Sequence, residues 1–377
     1  MQSYKDNSDL EKKKGKNLVV TPFLCTFAHM DLSKISRYRG ELMGFAIIIV
    51  MLFHVGTPRS DMFYGLRRMG NLGVDIFFFL SGIGLWYSWS KQQNWLRFYK
   101  NRLLRIYPAW LIVVGWFYIS RFNPTRPSYA LPFGGTGNAT VDSWIDLLGD
   151  ILFNWDFWLH DELTFWYVPA TMMMYLFAPF YMELIRRHPI YRWLTVLPLM
   201  WCIIVQYVLP IHHAVGHIEI FWSRIPIFML GITFAESIRQ KLVIDRQAWW
   251  MTLLFFAVSL AACVWLEQMR HGRFPLYIER MLYIVLAITT TLIMSEAFDR
   301  MRTWGKGRFS INKIFAWIGG ISLEMYLIHV EYILKPLERQ HLGYWTTFLL
   351  TLIATLPLAW IVSKICGFIL RFVRKKP

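Results

Sequence analysis

Cysteine is scarce in this chain. Cys25, Cys202, Cys263 and Cys366 are the four in 377 residues, and no two of them have the spacing of a metal or redox motif, which argues against a disulfide scaffold or a zinc module. Charge is scarce as well, at 17% of residues, and acidic charge most of all: 24 Asp and Glu stand against 40 Lys and Arg. No charge-rich stretch long enough to form a soluble domain separates the apolar runs, and no internal repeat is visible. What fills the chain instead is hydrophobic: 56% of residues are apolar, 18% are aromatic, and mean hydropathy is +0.36. The runs are of bilayer length, since a hydrocarbon core of roughly 30 Å takes about 20 helical residues. Lipid leaves no partner for backbone N–H and C=O groups, so each run must be a helix or a barrel strand, and these are too long and too continuously apolar for strands.

The fold class that follows is an all-α polytopic membrane protein of about ten transmembrane helices, with both termini cytoplasmic. The helices are expected near 42–56, 71–90, 107–121, 163–183, 194–210, 221–238, 248–266, 279–297, 319–335 and 345–369. The expected organisation is a basic cytoplasmic tail (1–40), a membrane domain (41–370) and a short basic tail (371–377). Within the membrane domain, 122–162 reads as an extracytoplasmic loop, rich in Pro and Gly, with a short helix over Ser143–Phe153. Orientation rests on basic residues: 29 of the 40 Lys and Arg fall in segments that this topology puts inside. The net charge of +16 is then a basic face toward anionic lipid and requires no nucleic acid. Lys12-Lys13-Lys14 precedes an apolar stretch from Leu18 to Met30. No small-residue cleavage site follows, so an interfacial segment in a cytoplasmic tail is favoured over a cleaved signal.

An ionisable side chain inside a membrane span is costly and therefore a candidate for function. His54 ends the first run. Thirteen residues of helical rise from Glu41 put it roughly 20 Å across the membrane. Asp75 lies one turn inside the outer end of the second helix, at similar depth. The two read either as a general base with its orienting carboxylate or as a buried pair that locks two helices. Arg102 and Arg105, three residues apart on one face and accompanied by Lys100, read either as a cytoplasmic phosphate site or as a snorkelling positive-inside signal.

Joined in order, these pieces form a pattern. The run Gly44–His54 is followed by Gly73-Val74-Asp75-Ile76-Phe77-Phe78-Phe79-Leu80-Ser81-Gly82, then by Arg102-Leu103-Leu104-Arg105-Ile106-Tyr107-Pro108. Phe165-Trp166-Tyr167-Val168, Arg224-Ile225-Pro226-Ile227-Phe228-Met229-Leu230-Gly231 and Ile321-Ser322-Leu323-Glu324-Met325-Tyr326-Leu327-Ile328-His329 come after. Over about residues 40–370 the chain resembles the acyltransferase family 3 membrane proteins. The resemblance implies transfer of an acyl group, usually acetyl, from cytoplasmic acyl-CoA to an extracytoplasmic acceptor such as a bacterial surface glycan, with the enzyme in the cytoplasmic membrane. It implies that His54 is the essential histidine and that Arg102 and Arg105 are the paired arginines linked to acyl-CoA use. Family members often carry an arginine eleven residues before the histidine. Met43 stands there, with Arg39 one turn further in, so either Arg39 takes that role or the role is absent. Some relatives carry an SGNH hydrolase-like domain that completes the transfer. None is present here, so the expectation is direct delivery or hand-over to a separate protein.

Arg224 is expected at the acceptor entrance or as an interfacial anchor. Trp166 is expected to stack on a sugar or to join an aromatic belt. Ser322, Tyr326 and His329 share one helical face, as a cavity lining or a packing seam. His212, His213 and His217 lack tight ligand spacing, fall in an expected loop, and are not read as a metal site. No metal is expected. Asn138-Ala139-Thr140 matches a glycosylation sequon too short to use. The competing class is a polytopic transporter or flippase, for which inverted repeats and broken helices would be the sign. A glycan polymerase would be expected to carry more arginine in its outer loop than Arg126 alone.

Overall fold

The computed structural model describes residues 30–131, 134–269, 274–304 and 310–374. The expected interfacial segment from Leu18, Cys25 and the last basic residues lie outside that set. The described chain is almost entirely helical. Its single β-pairing joins Met30–Asp31 to Val243–Ile244, antiparallel.

The main helices are α1 (Arg39–His54), α2 (Leu72–Lys91), α3 (Trp95–Arg121), α4 (Ala139–Phe153), α5 (Trp155–His160), α6 (Tyr167–Arg187) and α7 (Val196–Tyr207). They continue with α8 (Ile225–Arg239), α9 (Arg246–Met269), α10 (Leu276–Trp304), α11 (Ile311–Gly320), α12 (Ser322–Ile328) and α13 (Tyr344–Arg374). Seven described helices are long and apolar enough to cross a membrane, and two bent pairs bring the number to nine. The helix carrying His54 has 16 residues, fewer than a bilayer crossing needs. In the segment 122–162, α4 contains the expected Ser143–Phe153 helix and starts four residues earlier. Asn138 caps it, its side-chain oxygen accepting from the Thr140 and Val141 amides.

Two spans are broken where unbroken helices were expected. The sixth bends by 41° between Trp222 and Ile225, the ninth by 63° between Gly320 and Ser322. Pro226 sits in the first turn of α8, where a missing N–H costs nothing. Continuity of the helices therefore no longer separates an enzyme from a transporter. The segment with His212 and His213 is also a short helix (Leu209–Val215) rather than a loop.

Without a hydrophobic drive between helices in lipid, close backbone approach supplies much of the packing. A Cβ on Gly44 would strike the Phe315 carbonyl of α11, and one on Gly319 the Gly40 carbonyl of α1. Gly82 and Gly231 interlock α2 and α8 in the same way, against the carbonyls of Phe228 and Phe79. Near the start of α1, Lys34 bridges Glu296 (2.6 Å) and Asp299 (2.8 Å) of α10, and Tyr38 donates to Asp299 (2.6 Å). These contacts fix α1 in register, and with it Arg39 and His54.

Candidate active site

A cavity of about 210 Å³ lies between α1, α2, α3, α6 and the break before α12. Arg39, Met43, Ser81, Arg102, Arg105, Tyr167, Tyr175, Ser322, Glu324 and Tyr326 are among its lining residues. Three arginines thus share one small space. Met43 is beside them but brings no charge, so the positive group one turn away, Arg39, is the one present at that level. Its Nε is 3.4 Å from the Leu80 carbonyl. Arg102 donates to Ser88 Oγ (3.3 Å), and its buried Nε has no hydrogen-bond partner. Among the described residues none of the three forms an ion pair with a carboxylate. Grouped guanidinium groups free of carboxylate partners are suited to phosphate oxygens. Lys100 is exposed on α3 and does not line this cavity.

Tyr326 closes one wall, its hydroxyl accepting from the Tyr167 amide (3.2 Å). Its ring centroid is 6.0 Å from that of His329. His329 begins a π-helical turn, His329–Leu334, which faces a second π-helical turn in α3, Leu111–Gly115. Tyr332 of the first donates to the Val113 carbonyl of the second (2.6 Å). Such turns re-aim side chains by inserting one residue and are frequent at functional sites. Here the turn aims His329 at His54.

His329 Nε2 is 3.2 Å from His54 Nδ1. The proton positions follow from their other neighbours. His54 Nδ1 is 2.9 Å from the Val50 carbonyl, and a carbonyl only accepts, so Nδ1 carries the hydrogen. His329 Nδ1 faces the carbonyls of Met325 (3.0 Å) and Tyr326 (2.9 Å), so it carries a hydrogen too. His329 Nε2 is then a bare acceptor, sharing the His54 Nδ1–H with Val50. The remaining nitrogen of His54, Nε2, keeps its lone pair. This is the arrangement a general base requires.

Asp75 is not the partner of His54. Its Oδ1 is 3.2 Å from Arg224 Nε, both side chains being essentially inaccessible. The reason is rotational. Gly73 abuts Ala46 and Val50 of α1, and two residues of helix turn about 200°, so Asp75 points away toward α8. Arg224 is correspondingly buried, reaching Asn71 Oδ1 (3.4 Å) and Ser223 Oγ (3.3 Å), and does not stand at an entrance. Trp166 is buried as well, among Phe78, Phe157 and Tyr167, in neither a sugar platform nor an exposed belt. Ser322 donates to the Gly319 carbonyl (2.9 Å) at the break while lining the cavity. His217 Nε2 lies 2.8 Å from the Trp158 carbonyl. Among the described residues no three His, Cys, Asp or Glu side chains are placed to hold a metal.

Glu324, Tyr167 and Tyr175 line the cavity but were not singled out from the sequence. Glu324 had a signal, an acid inside an apolar span; the tyrosines had none. A larger cavity of about 710 Å³ opens between α3, α4, α5 and α6, sharing Arg102, Ile106, Val168 and Tyr175 with the first. The polar tips of Tyr99, Tyr107 and Trp110 donate to the carbonyls of Leu176, Leu152 and Ile151 (2.8, 3.1 and 2.7 Å), so this second space presents hydrocarbon.

A helical membrane protein with a guanidinium-lined cavity beside a paired histidine is defined by these features. A family profile described as "Acyltransferase domain", acyltransferase family 3, matches residues 42–364, and the chain belongs to that family. It is similar to the "Regulator of hypoxia-inducible factor 1" of Caenorhabditis elegans, 29% identical over 175 residues, which cover 38% of this chain and 33% of that protein. It is also similar to the "Acyltransferase MdmB" of Streptomyces mycarofaciens, 26% identical over 178 residues, 43% of this chain and 41% of the relative. The match thus spans well under half the length of either relative. No solved structure matches.

Proposed function

We propose that the protein is a membrane O-acyltransferase that moves an acyl group such as acetyl from cytoplasmic acyl-CoA to a hydroxyl of an extracytoplasmic glycan or glycolipid. One observation carries the reading: a cavity holding Arg39, Arg102 and Arg105 ends at Tyr326, next to the His329–His54 pair. The CoA phosphates rest on the arginines, and the pantetheine arm runs toward the histidines. Helical rise separates Arg39 from His54 by roughly 22 Å, within reach of that arm. His54 Nε2 removes the acceptor hydroxyl proton as the oxygen attacks the thioester carbonyl. The C–S bond then breaks, and the thiolate of CoA takes the proton from His54, leaving an ester and free CoA. In the intermediate state the His54 imidazolium keeps its Nδ1–H on Val50 and His329.

This mechanism assigns the arginines to the cytoplasmic side, with ten spans, both termini inside and the basic inner segments on anionic lipid of a bacterial inner membrane. Acyl transfer is supported by the family and by a relative named an acyltransferase. Broken spans also suit a transporter, so the decisive experiment follows the label. Radiolabelled acetyl-CoA is supplied to membranes, and its label is traced to surface glycan with wild-type protein and with His54→Ala. Transfer that survives the substitution would overturn the assignment of the base, and a protein that moves glycan without transferring label would be a transporter.

A further inference from the structure

Outside the membrane-spanning helices, α4 and α5 pack on the far end of α3 and enclose a second polar space. Asp146 and Asp150 are four residues apart on one face of α4. Asn154, in the left-handed conformation (φ 52°), turns the chain so that Asp156 of α5 meets them. All three carboxyls are buried, at 5%, 1% and 6% exposure. Among the described residues no Lys, Arg or His forms an ion pair with any of them. Part of their capacity is used locally: Asp146 Oδ2 accepts from the Ser128 amide (2.7 Å) and Asp150 Oδ1 from the Asp156 amide (3.1 Å), while Tyr118 donates to Asn154 Oδ1 (2.9 Å). Asp156 Oδ1 is buried and has no hydrogen-bond partner.

These groups line a cavity of about 180 Å³ together with Phe117, Tyr118, Arg121, Phe122 and Tyr129. Burial first, and then the charge of Asp156, push Asp150 up to about 8; burial, with the charges of Asp146 and Glu162 and against a hydrogen bond from Tyr118, pushes Asp156 up to about 6. The shift favours retention of a proton in the cluster, which places donor and acceptor atoms side by side. Arg121 and Arg126 also line the cavity, so carboxyl acceptors and guanidinium donors face the same space. The three carboxyls are not disposed as a ligand set for one metal ion. A ligand with several hydroxyls on its edge and an apolar face satisfies both the carboxyls and the aromatic walls. Arg121, which lines this cavity, also stands 3.9 Å from Glu331, two residues beyond His329 on the same π-helical turn. The pocket thus adjoins the segment that carries the second histidine.

We infer that the pocket between α3, α4 and α5 is a sugar-binding subsite, which seats one pyranose ring of the acceptor with its hydroxyls donating to Asp156 and Asp150. The inference rests on the acyl-transfer reading only for the word acceptor; the sugar site itself is testable without catalysis.

The test uses the full chain in detergent and four probes, the methyl pyranosides of glucose, galactose, mannose and rhamnose, followed by saturation-transfer difference NMR. Wild-type protein is expected to transfer saturation to at least one. Asp156→Asn removes the charged acceptor and should weaken that binding about tenfold, the scale of one charge-assisted hydrogen bond. Tyr129→Ala, at an exposed wall where folding is not at stake, should weaken it independently. His54→Ala should leave it unchanged. Absence of signal from all four probes with wild-type protein would overturn the inference, as would wild-type binding in folded Asp156→Asn. Should Asp156→Asn fail to fold, undiminished binding in Tyr129→Ala would do the same. Normal sugar binding without any transfer of acetyl label would instead sink the acyl-transfer reading and leave the subsite standing.

Discussion

His54 and His329 lie 275 residues apart in sequence, yet their imidazoles meet edge to face with ring centroids 4.9 Å apart and a 3.2 Å nitrogen–nitrogen contact. Each ring is also tethered to carbonyls of its own helix, and those tethers decide where the protons sit. The pair therefore resembles the base and orienter of a hydrolase triad, with a neutral histidine in the place of the carboxylate.

If His329 orients the base, a side chain that can still accept from His54 Nδ1–H should preserve part of the activity. His329→Ala is expected to lower kcat by about 10- to 100-fold, the scale of losing one hydrogen bond that holds a base, with KM for acyl-CoA unchanged. His329→Gln should recover part of the loss. A purely structural role would instead show equal loss in both variants, tracking their thermal stability.

Replacing Arg39 tests whether it stands in for the charge missing at Met43. Arg39→Ala and Arg102→Ala should each raise KM for acetyl-CoA by about tenfold, as expected for loss of a charge-assisted phosphate contact. Arg102→Lys should rescue incompletely, because a point charge does not reproduce the guanidinium fork. Unchanged acetyl-CoA affinity in the Arg39→Ala, Arg102→Ala double variant would refute the donor site.

The Asp75–Arg224 pair predicts a stability effect. Asp75→Ala leaves a buried guanidinium uncompensated and should destabilise the protein by about 3–5 kcal/mol. Asp75→Ala combined with Arg224→Met should be less damaging than Asp75→Ala alone. Thermal unfolding in detergent measures both. A double variant at least as unstable as Asp75→Ala would show that the two side chains do not compensate each other.

The carboxyl cluster of α4 and α5 predicts a pH dependence. Asp150 and Asp156 are raised in the folded protein to about 8 and about 6, so the folded state binds more protons than the unfolded one. Their contribution to stability is full below the ordinary carboxyl range and is lost as pH rises through those values. Hydrogen exchange in α4 and α5 should therefore quicken from about pH 5 to about pH 9 beyond its intrinsic rate. Asp150→Asn should flatten the trend, and an unchanged slope would remove the cluster as its cause.

Topology is checked with single cysteines in a background from which the native ones are removed. A cysteine replacing exposed Lys100 should react with an impermeant maleimide only from the cytoplasmic side. Labelling from outside would put Arg102 and Arg105 on the wrong face and undo the proposed route of the acyl group.

Much of this protein was legible as one-dimensional pattern. Apolar runs of bilayer length located the helices, because hydropathy is a local property. The order of motifs from His54 to His329 identified the family, and a helix over Ser143–Phe153 was expected inside the 122–162 segment. The break at Ile321 was not visible, since apolar residues flank it on both sides; Ser223-Arg224 marked the start of a helix but not that a bent helix pair meets there. Met43 in place of an arginine was visible as a departure, but that Arg39 shares a cavity with Arg102 and Arg105 depends on how α1 and α3 are packed.

The sequence alone determined that His54 is a costly intramembrane base candidate and that two arginines share a face of α3. Depth is set by helical rise, which can be counted along one chain. Only the tertiary structure decided which side chain His54 meets. That depends on helix rotation, fixed by Gly73 against α1, and on a π-helical turn that brings His329 across from a distant segment. Counting residues placed Asp75 beside His54, whereas Gly70 packs on Ile49 and Phe53 and Gly73 on Ala46 and Val50, so Asp75 lies further toward the start of α1 and on another face of its helix.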